Sequence, residues 1–155
     1  MKRVLIILFV LSIIIISCNI TPKDKNISLP LGLKFNESIF DVEKKIKNLN
    51  LSYNTKNIQN RDFAQNIIKI RDIQYRKYKG TFIILFFNKR LYQVRFYTSK
   101  YYLLKEKTKN RYMFDGKLEV VKKSGNRVVE YYKKDNEILA IFFTDKNIEE
   151  KIFSD

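Results

Sequence analysis

The apolar residues of this chain change their spacing several times, and each change predicts an element. Residues 4–16 form an apolar run broken only by Ser12, directly behind Met1-Lys2-Arg3 and ending at Ser17-Cys18. A basic start, a short apolar stretch and a small residue at its end read as an export signal over 1–17. The run is too short to cross a bilayer, which takes about 20 apolar residues. Residues 19–29 are mostly polar, contain Pro22 and lead to Pro30, so 18–30 reads as a tether.

Beyond the tether the period becomes helical. Ile39, Val42, Ile46 and Leu49 make one stripe, and the spacing predicts a helix over 37–48 with Asn36 as N-cap and Phe35 and Phe40 as a hydrophobic staple. Residues 54–66, rich in Asn and Gln, read as a loop. The period is then two over 67–78, with a phase slip at Arg71-Asp72: Ile68 and Ile70 have one parity, Ile73 and Tyr75 the other, as a bulge produces. Residues 81–87 are nearly all apolar, as in a central strand covered on both sides, and 91–98 pair with them across Asn88-Lys89-Arg90.

A second helix is expected over 99–110, then a meander of 118–123, 127–133 and 138–144 separated by polar turns. Residues 140–148 echo 84–91, which suggests a final short strand over 148–153, with a helix as the alternative. The expected fold is α+β: a single domain over 31–155, with an antiparallel sheet and one or two helices packed on one face.

Two resemblances rest on these residues. Ile15-Ile16-Ser17-Cys18-Asn19 resembles a lipobox, and its loose form, with Ile where Leu and a small residue are usual, is similar to the outer-surface lipoproteins of spirochaetes, Borrelia in particular. That resemblance implies that the Cys18 thiol takes a diacylglyceryl group, that 1–17 are cut away, and that the new amine is acylated. Several acyl chains hold a protein stably where one does not. The implied partner is membrane lipid and the implied location a cell membrane, on the outer surface or the periplasmic face. The second resemblance is one of layout: Gly32-Leu33-Lys34-Phe35-Asn36 ahead of an amphipathic helix and strands is similar to small envelope domains such as the assembly lipoprotein BamE and the β-lactamase inhibitor proteins.

Composition narrows the chemistry. With no histidine and one cysteine committed to lipid, the commonest general base, the usual metal ligand and the thiol nucleophile are all missing. Gly32, Gly80, Gly116 and Gly125 stand apart from one another and form no phosphate-cradling motif. No catalytic residue, metal or cofactor is expected. Asp115 with Glu119, or Asp145 with Glu149, are the carboxylate pairs a hydrolase of polysaccharide would use, although such residues at turns and element ends usually serve as solvated caps.

The formal charge is +15, from 31 Lys and Arg against 16 Asp and Glu. Such an excess favours anionic lipid, polysaccharide or an acidic envelope or host protein, without implying a specific nucleic acid. An AT-rich genome, which favours Lys, Asn and Ile codons together, accounts for the same excess without function. Interleaved aromatic residues single out Tyr75, Arg76, Lys77 and Lys79, then Arg95 and Lys100, with Tyr97, Tyr101 and Tyr102 close by and Lys105, Lys107, Lys109 and Arg111 beyond. Rings and cations in this mixture can hold a polyanion by charge and stacking. The functional expectation is a lipid-anchored, non-enzymatic binding module; the alternative is an accessory of envelope assembly working through a protein interface.

Overall fold

The computed structural model describes residues 27–59, 64–108 and 116–153. They form one seven-stranded antiparallel sheet: β1 (Tyr53–Gln59), β2 (Ala64–Tyr75), β3 (Tyr78–Phe87), β4 (Arg90–Thr98), β5 (Lys117–Ser124), β6 (Arg127–Lys134) and β7 (Glu137–Asp145). The spatial order is β1-β2-β3-β4-β7-β6-β5. Two meanders, β1 to β4 and β5 to β7, thus join where β4 pairs with β7, and Val94 lies opposite Phe143 and Phe96 opposite Ile141. Three α-helices accompany the sheet, α1 (Ile39–Asn48), α2 (Ser99–Thr108) and α3 (Lys146–Phe153).

Strand parity assigns the two faces. Ile68, Ile70, Phe82, Ile84, Val94, Phe96, Ile141 and Phe143 share one face and bury there with Val42 and Ile46 of α1 and with Ile27, Leu29, Leu33 and Phe35. Burying such a side chain is worth roughly 1.5–3 kcal/mol, so this face carries the main core. Tyr97 and Phe142 have the opposite parity, and Tyr97 stacks against Tyr101 and Tyr102 of α2 at centroid distances of 4.6 and 6.2 Å. On that same face Gln93 donates to Glu149 of α3 at 3.2 Å. Helices therefore cover both faces, which corrects the expectation of helices on one face, and the sheet dominates the α+β fold. The reason is the central position of β3, β4 and β7: their two apolar faces each need a cover.

The phase slip is a bulge. Register shifts between Ile70 and Ile73, and Asp72 takes φ 53°. Two-residue turns close the β3–β4 and β6–β7 hairpins, with positive φ at Asn88 and Lys89 and at Asp135 and Asn136, as tight hairpin turns require.

Several local expectations are corrected. Ser38, not Asn36, caps α1: its hydroxyl accepts from the Asp41 N–H at 3.2 Å. Asn36 instead turns at φ 68° and donates its N–H to the Leu91 carbonyl, tying the chain to β4. With the cap moved, the Phe35–Phe40 staple does not form; Phe35 is buried and Phe40 is 70% exposed, and Leu49 leaves the stripe at 50% exposed. The polar stretch read as a loop contains edge strand β1, and the last element is helix α3, the alternative reading. Ile27 and Leu29, inside the stretch read as tether, are buried in the core.

Candidate functional site

The residues singled out for polyanion binding do not form one surface. Tyr75 is half-buried against the core, its ring set edge-on to Phe82 and Phe96 at 5.3 Å each. It draws the tip of the β2–β3 hairpin over the α1 face, where Arg76 Nη1 donates to the Tyr131 hydroxyl at 2.7 Å. Arg76 adopts φ 53°, a conformation that costs a side chain of this size roughly 1–2 kcal/mol. The hydrogen bond to Tyr131 and the Tyr75 ring 5.4 Å from the guanidinium offset that cost and raise its pKa further. Arg76 is thus a clasp holding the hairpin tip to β6.

Lys77 lies over the Tyr78 ring at 5.5 Å. Lys79 pairs with Asp72 at 3.5 Å, and Lys100 with Glu137. Arg95 lies across the sheet from Arg76, on the α2 and α3 face, donating to Gln93 Oε1 at 2.5 Å with its guanidinium over Phe142. The sheet separates Arg76 from Arg95, so the sequence cluster divides into a clasp, two paired surface lysines and a residue of the opposite face.

The structure instead gathers a different basic site at the β2 bulge. Lys69 and Arg71 are two residues apart, on the face that α2 covers. With Asp72, Gly80, Thr81, Ser99, Tyr102 and Leu103 they line an open cleft of about 480 Å³. Among the described residues neither cation forms an ion pair, and the Asp72 carboxylate is turned outward to Lys79. Half-buried Lys69 has its ammonium 5.9 Å from the centre of the Tyr102 ring. The Tyr102 phenol is pushed above its ordinary pKa by burial, against a hydrogen bond with Thr81 and the charge of Arg71, so it stays a neutral hydroxyl at physiological pH.

Gly80 contributes its backbone to the cleft, and its missing side chain matters on the other face, toward the core. A Cβ there would stand 2.1 Å from the Tyr97 carbonyl oxygen and 2.8 Å from Phe96 Cζ. β3 and β4 can approach this closely behind the cleft only because that atom is missing. Arg71 faces the cleft by alternation with Ile70, and the extra residue of the bulge lets Ile70 and Ile73 both stay in the core. The sequence pattern locates this bulge at Arg71-Asp72 but does not single out Lys69 or Arg71 as binding residues. Their signal was two cations of one parity at a slip, next in sequence to the only carboxylate of β2, Asp72.

Of the four carboxylates considered for hydrolysis, the three described ones are ion-paired. Glu119 pairs with Lys133 at 2.6 Å, which lowers its pKa. Lys146 bridges Glu149 at 2.7 Å and the buried Glu130 at 3.3 Å, while Gln93 donates to Thr144 at 2.8 Å, so this network clamps α3 to the sheet. Burial opposes the charge of Lys146, but the two carboxylates outweigh it and its pKa rises. Asp145 faces Arg127 at 3.7 Å. Cys18, Lys109, Arg111 and Asp115 lie outside the described residues, and no metal-ligating cluster occurs among the described ones. The chain matches no protein-family model and no curated protein.

Proposed function

We propose that this protein is a lipid-anchored, non-enzymatic binding module of a cell envelope, tied to its membrane through acylated Cys18, whose α2 side meets an anionic partner. The observation that carries the reading is the pair Lys69 and Arg71, without an ion-pair partner among the described residues and side by side in a cleft with an aromatic wall. Two cations held a strand repeat apart repel each other, and a bound anion relieves that repulsion. Arg95, on the same face, extends the positive field toward α3. Ion pairing and helix clamping account for Glu119 and Glu149 without catalysis.

The reading is tested by the salt at which the detergent-solubilised full chain elutes from immobilised heparin. Lys69→Glu with Arg71→Glu is expected to lower that salt well below the effect of Lys44→Glu with Lys47→Glu, which changes net charge equally on the exposed side of α1. Equal losses would mean that only net charge is being read, and the proposed face would be abandoned.

A further inference from the structure

We propose that the cleft at the β2 bulge is a discrete subsite for one tetrahedral oxyanion, a phosphate or sulfate ester group at the surface of a larger ligand. This rests on the anionic-partner reading and goes further, because charge adhesion needs no shaped site. The cleft has a shape. Lys69 and Arg71 come from alternate positions of one strand, Thr81 from β3, and Ser99 and Tyr102 from the first turn of α2.

The donors suit an oxyanion, and the one carboxylate of the lining, Asp72, is paired with Lys79. A guanidinium and an ammonium give charge-assisted bonds in different geometries, the first able to bridge two oxygens and the second acting as a point charge. Ser99 and Tyr102 add hydroxyl donors. Ser99 at present donates to the Lys79 carbonyl at 3.1 Å, a contact a rotating hydroxyl can exchange for a ligand oxygen. The positive end of α2 starts at Ser99 and adds to the field. A carboxylate ligand would leave part of this donor set unused, whereas a tetrahedral group presents at least three oxygens to it.

The volume fits as well. About 480 Å³ with an open mouth takes a phosphate or sulfate group together with part of the sugar or glycerol that carries it. Leu103, exposed at the rim, offers that carrier an apolar contact.

Thermal unfolding of the full chain in detergent tests the subsite, with inorganic phosphate and inorganic sulfate titrated against sodium chloride at matched ionic strength. A ligand that binds only the folded chain raises the midpoint and saturates. Phosphate or sulfate is expected to do so beyond chloride, and Arg71→Met or Lys69→Met to weaken the apparent affinity roughly tenfold, the loss of one charge-assisted contact. Tyr102→Phe, which keeps the ring, is expected to fold and to bind more weakly. Glucose 6-phosphate and glucose 6-sulfate then separate a phosphoryl from a sulfuryl carrier. No protection beyond chloride, or equal protection in Lys69→Met and in the α1 variant Lys44→Gln, overturns the subsite. If heparin retention still depends on Lys69 and Arg71 in that case, the anionic-partner reading survives alone. If phosphate protection depends on them while heparin retention does not, the subsite stands and the wider reading falls.

Discussion

At the scale of single residues, the least replaceable positions are those where backbone meets backbone. Gly80→Ala puts a methyl group against the Tyr97 carbonyl, which cannot rotate away, so a loss of about 1–3 kcal/mol or more is expected in a denaturant midpoint. Gly125→Ala meets nothing within 4 Å and suffers only from its φ of 55°, so about 1 kcal/mol is expected there. Burial pushes the phenols of Tyr92, Tyr101 and Tyr102 above their ordinary values, and Lys146 also titrates late. For each of these the native state holds its proton longer than the unfolded chain. Their stabilisation is therefore complete below about pH 10 and lost as pH rises through the raised native values. Tyr92→Phe removes one such group and is expected to make the alkaline fall of the denaturant midpoint shallower; an unchanged slope would contradict the assignment.

At the scale of elements, α1 shows what the sequence spells out and what it hides. The stripe of Ile39, Val42 and Ile46 was legible because 3.6-residue spacing survives any choice of cap. The cap was not, because Asn36 and Ser38 are both good acceptors and only the tertiary bond from Asn36 to Leu91 decides between them. Ile46→Ala is accordingly expected to cost about 2–5 kcal/mol and Ser38→Ala about 1 kcal/mol, while Phe40→Ala stays under about 1 kcal/mol, all by equilibrium unfolding. A large loss in Phe40→Ala would restore the staple.

Strand β1 escaped notice for a related reason. As an edge strand it is held by its backbone ladder to β2 and by contacts such as Asn66 to Asn57, so it needs no apolar alternation. The bulge in β2 was visible from parity alone, yet the cleft around Arg71 required knowing that α2 lies over that face. Side-chain proximity along the chain misled in the opposite direction: Arg76 and Arg95 look like one basic cluster, and a sheet stands between them.

At the scale of the whole molecule, the described chain begins on the α1 face, where Ile27, Leu29, Phe35 and Arg127 line a common cleft. The Lys69–Arg71 cleft opens on the opposite face. Nine residues carry the chain from Cys18 to Ile27, a reach of at most about 30 Å. On the proposed anchoring, the tether therefore holds the domain within about 30 Å of the bilayer and joins it on the α1 face, opposite the basic cleft. Cys18→Ala is expected to move the protein from the membrane fraction to the soluble one, and intact-mass measurement of the wild type to show an added lipid; an unmodified thiol would remove the anchor from the account.

The most direct test of the whole combines anchor and cleft. Neutral phosphatidylcholine vesicles loaded with the full-length lipidated protein should be retained on immobilised heparin near physiological salt, and vesicles loaded with the Lys69→Glu, Arg71→Glu protein should pass through. Equal retention of the two would contradict the account, as would passage of both.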